Sequence, residues 1–253
     1  MSDLFKHLVL IGSGNTAATL GNLFLVNGLP PAGIFGRNRS ETKTLAKEWN
    51  CLEGSLEEIS MKEGIFFICV SDRAIAEVAH LLPLNNSIVV HCSGAQSLSI
   101  LPFENKGVFY PLQSLLKNRV PTTSIPLLIQ SSNDFTHQTL MHLAQLLSPI
   151  VKQVSDEQRL KIHLAAVLAS NFTNHLYALA YDYCKKEQLD YALLAPIMIE
   201  VTSRASTQDP AQLQTGPAIR HDVETIEKHL KLLNDNPGLR ELYEFLTTSI
   251  QRL

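Results

Sequence analysis

His163, Ser170 and Asn174 are spaced by seven and four residues, with Asn171 beside them. In a helix that spacing puts the first three on one stripe. Histidine titrates near neutral pH and can serve as a proton donor. The stripe runs through Ile162–Tyr181, which carries no Asp, Glu, Lys or Arg. Buried polar groups without partners are costly, so the stripe either faces a ligand or is satisfied internally. On the first reading His163 and Asn171 are candidate catalytic residues and Asn174 a substrate contact. On the second, His163 is a structural hydrogen-bonder.

A second constellation stands at the N-terminus. Leu8–Ile11 is followed by Gly12-Ser13-Gly14-Asn15-Thr16-Ala17, a GxGxxA pattern between a strand and a helix. The first glycine allows a tight turn, the second lets backbone approach a pyrophosphate, and a small Ala17 lets helix and strand pack closely. A helix N-terminus then offers free N–H groups to phosphate. Gly12, Ser13, Gly14, Asn15 and Thr16 are therefore candidate dinucleotide contacts; the bland alternative is an ordinary glycine turn. The next strand, Gly33–Phe35, runs into Gly36-Arg37-Asn38-Arg39-Ser40, with no acid before Glu41. An NAD site places Asp or Glu about there for the ribose hydroxyls. Two arginines instead suit a 2′-phosphate, which Arg holds as a fork. NADP is the expected cofactor, with Arg37, Asn38, Arg39 and Ser40 as contacts. Arg39→Ala is expected to remove most of the preference for NADPH over NADH.

Residues 1–155 must position these groups, and they alternate strands with helices. Strands are expected at Leu8–Ile11, Gly33–Phe35, Ile65–Val70, Ser87–His91, Gly107–Tyr110, Ile125–Gln130 and Val151–Val154, and helices at Thr16–Asn27, Glu41–Asn50, Arg73–Leu82 and Phe135–Leu147. That alternation favours a parallel sheet with crossover helices. From Asp156 onward only helical patterns follow: Asp156–Lys186, Leu189–Thr207 with a kink near Pro196, Asp222–Leu233 and Gly238–Leu253. The expected architecture is an α/β, Rossmann-like, mostly parallel sheet domain at 1–155 and an all-helical domain at 156–253 for substrate and dimerisation.

Composition excludes other classes. Charged residues make up 18% of the 253-residue chain, against about 25% in an average soluble protein. The net charge of -3 leaves no basic surplus for nucleic acid. Cys51, Cys69, Cys92 and Cys184 form no CxxC or zinc-knuckle spacing and the histidines no HExxH, so neither metal nor disulfide scaffold is expected and a reducing cytoplasm is the default. The first apolar run is too short for a signal peptide. The charge-free helix carries too many polar groups to face lipid; it is expected to be buried on nearly all sides, against the sheet domain and a second subunit. Trp49, Phe172, Tyr177, Tyr181 and Tyr183 read as packing residues.

Further motifs carry a family resemblance. They are Ile68-Cys69-Val70-Ser71-Asp72-Arg73-Ala74-Ile75, His91-Cys92-Ser93-Gly94-Ala95, Gly107-Val108-Phe109-Tyr110-Pro111-Leu112-Gln113-Ser114, His163-Leu164-Ala165-Ala166 with Ser170-Asn171, and Thr215-Gly216-Pro217-Ala218-Ile219-Arg220-His221-Asp222. Together they resemble a Rossmann-like family of NADP oxidoreductases of unassigned substrate, similar to pyrroline-5-carboxylate reductase. The helical half resembles the C-terminal domain of 6-phosphogluconate dehydrogenase relatives. Asn38-Arg39-Ser40 also resembles the Asn-Arg-Thr/Ser turn of NADP-linked β-hydroxyacid dehydrogenases. The resemblance implies that Val70, Ser71 and Asp72 lie beside the dinucleotide and Ser93 and Gly94 near the nicotinamide. Tyr110, Gln113, Asn174 and Arg220 are candidate substrate contacts. Tyr110 stands where the family often has His, and His221 where it often has Gly. The Lys/Asn pair of β-hydroxyacid dehydrogenases is not reproduced around Lys161. Asp222 reads equally as a helix cap paired with Arg220, and Arg220 as a carboxylate ligand.

The leading expectation is an NADP-dependent oxidoreductase moving a hydride between NADPH and a small carbonyl or imine substrate, as a homodimer through the helical domain. The rivals are a non-catalytic NADP-binding sensor and a structural dimer with a vestigial nucleotide site.

Overall fold

A computed structural model describes residues 3–61, 63–84, 86–117 and 124–253. Eight strands form one sheet: β1 Leu8–Ile11, β2 Gly33–Phe35, β3 Leu52–Gly54, β4 Ile65–Ile68, β5 Ile88–His91, β6 Lys106–Pro111, β7 Leu127–Ser131 and β8 Val151–Gln153. Their order is β3-β2-β1-β4-β5-β6-β7-β8. Strands β1 to β6 run parallel, β7 is antiparallel to β6, and β8 is parallel to β7. The first six follow the 3-2-1-4-5-6 order of a doubly wound dinucleotide fold, whose ligands bind where the strand order reverses. That switch lies between β1 and β4.

The central strands are buried on both faces, which is why their sequences are continuously apolar. Leu8, Leu10, Ile65, Phe67, Ile88 and Val90 pack with Leu20 and Phe24 of α1 (Asn15–Val26), Trp49 of α2 (Arg39–Trp49) and Leu140 and Leu143 of α4 (Asp134–Leu147). Val9, Ile11, Phe66, Ile68 and Val89 pack with Ile75 and Val78 of α3 (Ile75–Leu81). Phe67 sits between Phe24 and Phe109, with ring centroids 5.1 and 5.4 Å away. Truncating such a residue to alanine costs about 3–5 kcal/mol. Trp49 packs against Gly21, where a Cβ would approach to 2.3 Å, and its indole N–H donates to Asn22 Oδ1 at 2.8 Å.

Helix starts follow their caps. Asn38 and Asn133 accept from the third residue of α2 and α4. Ser155 and Gln158 form a capping box at α5 (Asp156–Ala166). Strand β3 was not expected; it is three residues long at the sheet edge with Glu53 in the middle, so it shows no apolar run.

The chain divides into two compact units, Met1–Asn171 and Phe172–Leu253. The sheet and α1–α5 lie in the first. The second contains α6 (Thr173–Lys186), α7 (Ala195–Ala205), α8 (Val223–Leu232) and α9 (Pro237–Ile250). The kink expected at Pro196 is absent. Pro196 stands in the first turn of α7, where its missing N–H costs nothing. Asp222 caps α8, accepting from Thr225 N at 3.1 Å and Thr225 Oγ1 at 2.9 Å.

Near-complete burial of the charge-free helix is not found within the chain. Leu164 and Leu168 are 60% and 55% exposed, Phe172 and Leu176 57% and 40%. The chain covers these apolar side chains only in part. No helix among the described residues is long and apolar enough to cross a membrane.

Candidate functional site

The loop after β1 is built around Gly12. Its φ of +107° favours glycine, and a Cβ there would come within 2.5 Å of the Cys69 carbonyl oxygen. Its N–H donates to Phe35 O at 2.7 Å, tying the loop to β2. Gly14 is the extended N-cap of α1 and makes no side-chain cap, and a Cβ at Gly14 would meet nothing within 4 Å. The first turn of α1 thus presents backbone N–H groups to open space, a ready anion site. Gly12, Ser13, Gly14, Arg37, Asn38, Val70 and Ser71 line a cleft of about 300 Å³. Among the expected cofactor contacts, Asn38 also caps α2, and Ser40 lies in that helix's first turn. Asp72 opens the short 3-10 turn Asp72–Ala74 and is exposed.

The two arginines differ. Arg37 lines the cleft and makes no ion pair among the described residues. Arg39 Nη1 lies 2.5 Å from Glu58 Oε2, and Nη2 lies 3.4 Å from Glu53 Oε2. The hydrogen bond to Glu58 raises the Arg39 pKa, and Glu58 is held below the usual carboxylate range by the Ser55 N–H and by Arg39.

A second pocket, of about 520 Å³, lies wholly within the first unit. Asn15 and Thr16 of the phosphate loop line it together with Cys92, Tyr110, Gln113, His163, Ser170 and Asn171. Tyr110 Oη lies 2.9 Å from His163 Nδ1, with the rings edge to face. Burial raises the Tyr110 phenol above its ordinary pKa, and the charge of Asp72 adds to this. Gly94 makes room for the pair: a Cβ there would lie 2.6 Å from His163 Nδ1 and 2.9 Å from Tyr110 Cζ. Ser93 is occupied structurally, its Oγ accepting from Ala95 N and Gln96 N at 3.1 and 3.0 Å.

Helix α5 is anchored under this pocket. Arg159 is 1% exposed and donates to Gln130 Oε1, to the Gln96 carbonyl and to Asp156 Oδ1. Burial pushes the Asp156 carboxyl up, but bonds from Ser97, Arg159 and Leu98 N–H outweigh it and hold the acid below its ordinary value. His91 ends β5 and is fully buried; its Nδ1 accepts from Ser93 N–H at 3.2 Å. Burial first, and Arg159 second, push its pKa down to about 4. No periodicity or motif pointed to this network, because Arg159 sits in a polar stretch that reads as a solvated helix start.

Past α5 the helix widens into a π segment, Val167–Phe172. Such segments are rare and often occur at functional sites. Ala166, Val167, Ala169, Ser170 and Asn171 all line the pocket, a wider set than a single stripe. Asn174 and Arg220 are exposed and belong to the second unit. Lys161 is 73% exposed and pairs with Glu157.

A family model described as a domain of unknown function (DUF2520) matches residues 125–250. The "putative NADP oxidoreductase" of Bacteroides fragilis is 32% identical over 98% of this chain and 100% of its own, with a TM-score of 0.90. The chain belongs to this Rossmann-like NADP oxidoreductase family. A protein of Thermotoga maritima shares the fold at 23% identity and TM-score 0.73, over 97% of both chains. So does the imine reductase of Myxococcus stipitatus, solved with NADP+, at 14% identity and TM-score 0.59, over 97% of this chain and 93% of its own. No curated protein matches the chain.

The residues of this chain fit a dinucleotide. The uncapped start of α1 and the open space at Gly14 leave room for a pyrophosphate, and the exposed Arg37 beside them supplies positive charge.

Proposed function

We propose that the protein is an NADP-dependent oxidoreductase acting on a small carbonyl or imine carbon in the pocket of Tyr110 and His163. One observation carries this reading: Asn15 and Thr16, at the start of the phosphate-binding helix, line the same pocket as that tyrosine–histidine pair. Bound NADPH supplies the hydride, so the protein's share is placement and a proton. Gly12, Ser13 and Gly14 hold the pyrophosphate, Arg37 and Asn38 the 2′-phosphate, and Val70 and Ser71 flank the cleft.

The proton is held at Tyr110 Oη. A phenol with a raised pKa keeps its proton across the neutral range and gives it up when charge develops on a substrate oxygen or nitrogen beside it. In the tautomer with its proton on Nδ1, His163 donates to Tyr110 Oη and leaves the phenolic proton free to face the substrate. Asn171 and Gln113 offer amide groups that orient the substrate. Because Lys161 is exposed and engaged by Glu157, it takes no part. The part-exposed Leu164, Phe172 and Leu176 support pairing of two copies through the helical part of the chain, since exposed apolar area favours association.

The test mixes the protein with NADPH and a panel of ketones, keto acids and cyclic imines and follows absorbance of the reduced cofactor. Turnover of a carbonyl or imine is expected. Tight NADPH binding with no turnover across the panel would instead favour a non-catalytic sensor.

A further inference from the structure

A close pair of thiols that this reading leaves unused is Cys69 and Cys92. Both follow central strands, β4 and β5, at the carboxyl ends where such sheets bind ligands. The register pairs Ile68 with His91, and Cys92 N–H donates to Ile68 O at 3.3 Å, so the next step sets Cys69 against Cys92. Their sulfurs lie 3.6 Å apart. Neighbouring strands lie about 4.8 Å apart, inside the roughly 4.4–6.8 Å Cα window of a disulfide. Both residues are buried in the core beneath the two cavities, Cys69 lining the dinucleotide cleft and Cys92 the Tyr110–His163 pocket.

We infer that Cys69 and Cys92 form a peroxide-sensitive dithiol whose oxidation to a disulfide weakens dinucleotide binding. The nucleotide half of this inference rests on the proposed function; the disulfide itself does not. In the first step the Cys69 sulfur takes one oxygen from hydrogen peroxide, giving a sulfenic acid, and water leaves. The Cys92 sulfur then attacks the Cys69 sulfur and displaces the hydroxyl, which departs as water with the Cys92 proton. Two thiols and one peroxide yield one disulfide and two waters.

The coupling runs through Cys69. Its N–H donates to Ile11 O at 2.8 Å, and its carbonyl is the group against which Gly12 packs, with room for no Cβ. Closing the sulfurs from 3.6 Å to a bond of about 2.05 Å draws Cys69 toward β5 and disturbs the floor of the phosphate loop. Bound dinucleotide shields Cys69 in turn.

The whole protein is treated with hydrogen peroxide, its remaining thiols are alkylated, and it is digested for mass spectrometry. A peptide joining Cys69 to Cys92, lighter by two hydrogens, is expected. It should vanish on reduction, form more slowly with NADPH present, and persist in a C51S/C184S chain. NADPH affinity of the oxidised protein should fall about tenfold and recover on reduction, as a loop disturbance near 1.4 kcal/mol would give. Absence of the joined peptide, at a peroxide dose that oxidises the urea-unfolded chain, overturns the inference. A joined peptide with unchanged affinity overturns the coupling. Failure of the reduced protein to bind NADPH at all counts against the proposed function and leaves the disulfide result standing.

Discussion

Tyr110 Oη and His163 Nδ1 meet at 2.9 Å across 53 positions of sequence, one from the end of β6 and the other from α5. Both face the pocket that the phosphate loop also lines. If Tyr110 holds the transferred proton, Tyr110→Phe keeps the ring packing and removes the proton. Its kcat should fall by about 10²–10⁴ while NADPH affinity stays unchanged. His163→Ala should lower kcat less, because the phenol remains. Steady-state kinetics with direct NADPH titration separates the two; equal loss of NADPH binding in Tyr110→Phe would place the residue in the cofactor site instead.

Gly94→Ala tests the spacing of the pair. The added Cβ would stand 2.6 Å from His163 Nδ1 and 2.9 Å from Tyr110 Cζ. Overpacking of this kind costs about 1–3 kcal/mol. A lower Tm and a lower kcat are expected together. Wild-type activity in this variant would mean that the pair can separate freely without consequence.

The fold was legible where residues are apolar over several positions. Leu8–Ile11, Ile65–Ile68 and Ile88–His91 are buried strands, and GxGxxA marks its turn because only the φ of Gly12 and its close approach to Cys69 satisfy that geometry. β3 was not legible, since three residues with a central Glu53 form no pattern. Neither was the π segment, whose extra residue leaves no trace in Val167–Phe172 yet widens the pocket-facing set beyond the His163–Ser170 stripe. The Cys69–Cys92 approach was hidden for another reason. It depends on the register of two strands, and 23 residues of sequence separate the partners.

The arginines provide a third prediction. Arg37 faces the cleft, while Arg39 is held by Glu58 and Glu53. Arg37→Ala should weaken NADPH binding about tenfold or more, consistent with losing a charge-assisted contact to phosphate, and leave NADH nearly unchanged. Arg39→Ala should do less to that ratio. Titration of both nucleotides against Trp49 fluorescence reads the outcome, and a larger effect at Arg39 would show that it leaves its glutamates to reach the phosphate.

His91 provides a pH prediction. Its pKa falls from 6.5 to about 4 in the folded chain, so the unfolded chain binds the proton first. The neutral form's contribution is complete above pH 6.5 and is lost as pH falls toward about 4, on the order of 3 kcal/mol. Urea midpoints measured across that range should decline with acid, and His91→Asn, whose Oδ1 can still accept from Ser93 N–H, should flatten the decline. Asp156, held below its ordinary value, adds a loss in the same direction at lower pH. An unaltered slope in His91→Asn would assign the decline elsewhere.

The most direct test of the oxidoreductase reading follows the hydride itself. NADPH deuterated at its transferable position is incubated with the protein and the ketone, keto acid and cyclic imine panel, and products are examined by mass spectrometry. The prediction is deuterium on the former carbonyl or imine carbon of a product, lost in Tyr110→Phe. Saturating NADPH binding with no deuterium in any product would contradict it.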